Sequence, residues 1–130
     1  MDQKPREKFS IVKRINSVTH AFRGLCLFFE KCHNGQAYIF FTVLVIYLGI
    51  ILHITTTEWL ILVLTMGFVF VAEIFNSAFE VDIDLTSPTY HPYAKDAKDL
   101  AAGAVALAVF VSGVIGMIIF LPKILSVLCL

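Results

Sequence analysis

Charge is what this chain has least of. No Lys, Arg, Asp or Glu occurs between Lys31 and Glu58, between Glu58 and Glu73, or between Asp99 and Lys123. Charged residues make up 15 % of the 130 positions and hydrophobic ones 58 %, whereas a soluble domain carries about 25 % and about 45–50 %. Mean hydropathy is +0.84. The scarcity of charge excludes an ordinary soluble domain and points to a single membrane-embedded unit. The net formal charge is zero, so no global basic field suggests nucleic acid. Cysteine is scarce too: Cys26, Cys32 and Cys129 form no CxxC pair, which leaves zinc and redox motifs without support. Cleavable-leader features are absent. The first 36 residues carry seven Lys or Arg and no uninterrupted apolar core, so the first apolar run is expected to stay as a span.

What is present divides into a lead segment and three apolar runs. In the lead, Ile11, Ile15, Val18, Phe22, Leu25 and Phe29 recur at intervals of four, three, four, three and four. That spacing makes one helical face, with Lys13, Arg14 and Arg23 on others. A basic amphipathic helix beside a span is expected to lie in the membrane interface. It is predicted over about residues 9–34. The first span is predicted over 37–54, the second over 59–80 with helix continuing to about Asp82, and the third over 100–121, ended by Pro122. Tyr38, Trp59 and Phe120 fall where interfacial belt residues would sit. Ala102, Ala106 and Ser112 to Gly116 are small enough for close helix contact. The predicted fold class is therefore an all-α membrane protein, one surface helix followed by three transmembrane helices. Nine of the ten Lys and Arg residues fall before the first span or between the second and third. The positive-inside rule puts that side, and the amino terminus, in the cytoplasm, and the carboxyl terminus outside.

The second run ends in an unusual way. Glu73, Asn76 and Glu80 follow it at i, i+3 and i+7, on one helical face. A carboxylate at membrane depth costs about 2.5 kcal/mol or more on insertion scales, and its default reading is function. Glu73, the deeper, suits a general base acting on a lipid hydroxyl. Glu80, the shallower, suits Mg²⁺. Lys98 and Asp99 are expected to open the third helix, where Lys98 would neutralise phosphate oxygens. These are the parts of a phosphoryl-transfer site. No GxxxxGK[ST] string, kinase Gly-rich loop or HRD/DFG pair occurs. Ion transport also fits a carboxylate cluster at a membrane face.

The strings AEIFNSAFE and YHPYAKDAKDLAAGAV, the acidic turn between them, and AFRGL in the lead segment resemble the small integral-membrane diacylglycerol kinase family of bacteria, which includes the undecaprenol kinases of Gram-positive bacteria. The resemblance covers nearly the whole chain. It implies a homotrimer with active sites shared between subunits, direct phosphoryl transfer from MgATP to a lipid alcohol, and residence in the bacterial inner membrane. By motif match it implies Glu73 as general base, Asn76 as its catalytic support and Glu80 as a metal ligand. Tyr90, His91, Lys98 and Asp99 fall where the family holds the nucleotide, and Lys13 and His20 where the surface helix reaches it. One segment departs from the pattern. The family has a second metal glutamate in a stretch resembling E-x-N-x-R-I-H. Here the chain reads FFEKCHNGQAYI, with Cys32 at the ungapped position and Gln36 and Tyr38 for Arg and His. Glu30 is the substitute metal candidate. Diacylglycerol is the expected acceptor and undecaprenol the alternative, the SPTYHP loop and the LPK after the third span being nearer the undecaprenol-like branch. A non-catalytic or ion-conducting trimer is the reading from a different class.

Overall fold

The computed structural model describes residues 11–31 and 33–128. Four helices follow one another: α1 (Ile11–Lys31), α2 (His33–Ile51), α3 (Thr56–Thr86) and α4 (Pro92–Leu128). No strand occurs among the described residues. α3 and α4 are each long and apolar enough to cross a membrane, and the bent α1–α2 pair would add a third crossing. At about 1.5 Å per residue, α3 and α4 are roughly 46 and 55 Å long. Both exceed the ~30 Å hydrocarbon core. Each must therefore project beyond it, which is how an apolar run can end in carboxylates without burying them all in lipid.

The hairpin between α2 and α3 is the tightest part of the chain. Ile54 N–H donates to Gly49 O at 3.2 Å and His53 N–H to Ile50 O at 3.3 Å. With His53 at φ 47°, these bonds form a left-handed helix stop, with a residue other than the usual glycine at its centre. Thr55 then caps α3. Its hydroxyl accepts from Glu58 N–H at 3.3 Å while its own N–H donates to Glu58 Oε2 at 2.6 Å. This reciprocal box satisfies donors that the first turn cannot use internally. Glu58 also pairs with Lys123 of α4 at 3.2 Å, tying the start of α3 to the end of α4.

A buried cluster of Ile54, Leu62, Ile119 and Phe120 fills the same end, with Leu48, Trp59 and Ile124 packed against it. In lipid such residues gain little by leaving their surroundings, since acyl tails are as apolar as leucine. Close fit holds them instead. Ala108, 1 % exposed, gives α4 a near-flat contact surface farther along. At the opposite end, Phe28 and Phe29 of α1, Tyr38 of α2 and Phe70 of α3 form one aromatic cluster. Its ring centroids lie 4.6 to 5.5 Å apart, within the range of favourable aromatic pairs. Gly35 permits the α1–α2 corner, because a Cβ there would lie 3.0 Å from Phe28 O.

Several expectations are corrected. α4 does not end before Pro122 but continues to Leu128. Phe120 and Ile124 pack on either side of the proline and Lys123 is held by Glu58, contacts that offset the lost backbone bond. α4 also begins at Pro92, a favoured first helical residue, rather than near Leu100. Phe120 is core rather than belt, being 8 % exposed. Tyr38 turns its hydroxyl inward, donating to Met66 O at 3.1 Å.

Candidate active site

α3 carries the predicted constellation on one face. Asn76 is the one buried polar residue among those described, at 6 % exposure. Its Nδ2 donates to Glu80 Oε1 at 3.3 Å, a bond between residues one turn apart that fixes the Glu80 rotamer. Its Oδ1 is buried and finds no hydrogen-bond partner among the described residues. A buried amide oxygen without a donor is costly, by about 1–3 kcal/mol, and marks a place where a ligand cation or donor would be welcome. Glu80 itself is exposed and Glu73 half-buried. The two carboxylates thus sit in different surroundings on one face, as their spacing predicts.

Glu73 also lines a groove of about 510 Å³ between α2, α3 and α4, and is the one charged side chain among its lining residues. The rest of the wall is Phe41, Val45, Leu48, Val69 and similar groups, with Gly113 and Gly116 on α4. Two hydroxyls that face it are engaged within the protein: Thr65 Oγ1 donates to Ile61 O and Leu62 O at 3.0 Å, and Ser112 Oγ to Thr65 O at 3.4 Å, while Thr42 of α2 also lines the wall. The groove therefore offers hydrocarbon along most of its length and a carboxylate at one end.

A second depression of about 280 Å³ lies at the α3–α4 turn. It gathers Tyr90, His91, Lys95 and Lys98 with Asp84 and Ser87. Tyr90 and His91 are exposed on the connecting turn. Lys98 Nζ pairs with Asp84 Oδ1 at 2.5 Å, so an anion entering here would compete with Asp84 for the ammonium. Lys98 stands nearly two turns inside α4 rather than at its start. That corrects the expected use of a helix N-terminus for phosphate. Asp99, next along, is exposed and does not line this depression.

The other predicted residues are more scattered. His20 is exposed on α1. Lys13 belongs to the first turn of α1, but its side chain lies outside the described set, as does Cys32. Glu30 is exposed in the last turn of α1. Its neighbour Phe29 stacks on Phe70, three residues before Glu73, so the aromatic cluster holds the Glu30 end of α1 against α3. No group of three or more His, Cys, Asp or Glu side chains is gathered for a metal among the described residues. Asp84 escaped the sequence reading. Its spacing of four from Glu80 and eleven from Glu73, which extends the same helical face, was the available signal.

Comparison with known proteins bears directly on this arrangement. The family model for prokaryotic diacylglycerol kinase matches residues 19–120, which contain every one of these site elements except Lys13. The chain belongs to the prokaryotic diacylglycerol kinase family. It is a lipid kinase by that membership. The chain is similar to the undecaprenol kinase of Bacillus subtilis, 38 % identical over 107 residues, covering 82 % of this chain and 87 % of that one. It is also similar to a diacylglycerol kinase of Synechocystis, 36 % identical over 113 residues, covering 86 % of this chain and 65 % of the longer relative. A diacylglycerol kinase of Helicobacter pylori matches a shorter stretch, 43 % identical over 47 residues, or 36 % of this chain and 37 % of the relative.

Proposed function

We propose that the protein transfers the terminal phosphoryl group of ATP to the hydroxyl of a membrane lipid alcohol, with Glu73 as general base. The observation that carries this reading is the placement of Glu73 as the one charged lining residue of an apolar groove, on the helical face that also bears Asn76 and Glu80. A lipid lying in that groove presents its hydroxyl to Glu73. The carboxylate accepts the hydroxyl proton as the alcohol oxygen bonds to the terminal phosphorus, and the bond from phosphorus to the bridging oxygen breaks to release ADP. Holding the two reactants in line supplies most of the catalysis in such transfers. The ATP phosphates are assigned to the turn between α3 and α4, with Lys98 exchanging Asp84 for a phosphate oxygen and Asp99, Tyr90 and His91 around the nucleotide. Lys13 and His20 extend that site from α1.

Glu80 and the unpartnered Oδ1 of Asn76 are hard oxygen donors one turn apart. They fit Mg²⁺, which takes one or two carboxylates together with phosphate oxygens rather than a full protein cage. When bound there, the ion neutralises phosphate charge. Glu30 is the second proposed ligand, reached through the aromatic cluster that holds its end of α1 to α3.

The chain is read as one membrane-embedded unit, with α1 on the cytoplasmic surface and three spans contributed by α2, α3 and α4. α1 exposes Ile11, Ile15, Val18 and Phe22 on the face it would lay in lipid. Nine of ten basic residues support a cytoplasmic carboxylate end in a bacterial inner membrane. The homotrimer implied by the family likeness belongs to the same reading.

Diacylglycerol is the first acceptor proposed. Undecaprenol is the second, favoured by the greater coverage of the Bacillus relative. The experiment is phosphoryl transfer from labelled MgATP in mixed micelles with both lipids in parallel. Glu73→Gln should abolish transfer while leaving Mg²⁺ dependence of nucleotide binding intact, and Glu80→Ala should weaken that dependence. Full activity in Glu73→Gln would remove the base from the mechanism.

A further inference from the structure

Glycine appears in two opposite roles in this fold. At Gly49 and Gly35 a Cβ would collide with a neighbour, so the missing side chain permits contact. At Gly113 and Gly116, both lining the groove, a Cβ would meet no other atom within 4 Å. There the missing side chain leaves width. The facing walls come from α2 and α3, and most polar atoms around the groove are engaged internally: Tyr38 by Met66 O, Thr65 by Ile61 O and Leu62 O, and Ser112 of α4 by Thr65 O, with the Thr42 hydroxyl of α2 also on the wall. Apart from the Thr42 hydroxyl, an occupant meets hydrocarbon along most of the groove and a charge only at Glu73, which is the chemistry of a hydrocarbon with its polar group at one end.

The dimensions agree. Glu73 and Leu62 bound the α3 wall eleven residues apart, roughly 16 Å at the helical rise. That is about half of the ~30 Å hydrocarbon core, the depth of one leaflet.

We propose that Gly113 and Gly116 are specificity-determining residues, which hold the groove wide enough for the acceptor's hydrocarbon and set the chain bulk that can bring its hydroxyl to Glu73. The inference rests on the lipid kinase reading above and adds to it which residues select the acceptor. Leucine at either position projects into the groove and shortens the space for a chain.

The test is a chain-length series. Short-chain and long-chain diacylglycerols and polyprenols are offered in mixed micelles to the parent, Gly113→Leu, Gly116→Leu and Gly103→Leu. Gly103 also lies on α4 with open space at its Cβ, but outside the groove. In the groove variants kcat/KM for long-chain acceptors should fall by about tenfold or more through overpacking, chiefly in KM, while short-chain acceptors are spared. Gly103→Leu should show no dependence on chain length. Gly113→Ala and Gly116→Ala carry the same comparison at smaller amplitude if the leucine variants do not assemble. An equal loss across all chain lengths, an unchanged profile, or the same profile in Gly103→Leu would overturn the inference while the parent remains active. Failure of the parent to phosphorylate any lipid would instead defeat the kinase reading and this inference with it.

Discussion

Gly49 and Gly67 lie on adjacent apolar helices, yet the same substitution should move stability in opposite directions. A Cβ at Gly49 would lie 2.6 Å from Trp59 Cη2, 2.7 Å from Trp59 Cζ2 and 3.0 Å from Ile54 Cδ1. Carbon atoms settle at about 3.5–4.0 Å, so the indole must retreat by roughly 1 Å. It has little room to do so, because Trp59 is packed against the buried cluster of Ile54, Leu62, Ile119 and Phe120. Overfilling a packed site costs about 1–3 kcal/mol. Alanine returns about 0.8–1.0 kcal/mol over glycine within a helix, leaving Gly49→Ala destabilised by up to about 2 kcal/mol. Gly67 has no atom within 4 Å of its Cβ, so Gly67→Ala keeps the propensity gain alone, about 0.8–1.0 kcal/mol. Trp59 is the only tryptophan. Its emission during denaturant unfolding in micelles therefore reports the packed indole directly. Equal stabilities for the two variants, with Trp59 emission unshifted in Gly49→Ala, would refute the packing argument.

Other outcomes follow from the same geometry. Asn76→Ala removes both the bond to Glu80 Oε1 and the buried Oδ1. The Mg²⁺ concentration for half-maximal transfer should rise several-fold, and an unchanged Mg²⁺ titration would leave Asn76 with a packing role only. Phe70→Ala deletes the ring shared by Phe28, Phe29 and Tyr38. With Phe70 half-buried, the loss should fall below the ~3–5 kcal/mol of a fully buried Phe→Ala, and proteolysis should cut between α1 and α2 faster than in the parent. His53→Gly relieves a left-handed residue at φ 47° and should raise stability by up to about 1 kcal/mol, read as a shift in the unfolding midpoint.

The helices were legible because their signals are local. The four-three spacing from Ile11 to Phe29 and the three uncharged runs need nothing beyond the chain itself, and the chain is all-helical over the described residues, with α3 and α4 long and apolar enough to cross a membrane. Boundaries were less legible where tertiary contacts intervene. Pro122 should have stopped α4 by its own chemistry. Packing of Phe120 and Ile124 and the Glu58–Lys123 pair carried the helix six residues past it. Of the candidate site, the Glu73–Asn76–Glu80 face was fully visible, since three residues on one helix share a side by period alone. Asp84 was not, because its meaning comes from Lys98, fourteen residues away on the next helix.

The sequence by itself therefore determined the apolar helical class, the carboxylate face of α3, and the family likeness through two short motifs, all properties of residues close in the chain. Only the tertiary structure decided that Glu73 lines an apolar groove, that Lys98 is held by Asp84, and that a Cβ would be crowded at Gly49 but in open space at Gly113. Each of these depends on which helices stand beside one another and at what distance, and spacing along a single helix carries no record of that.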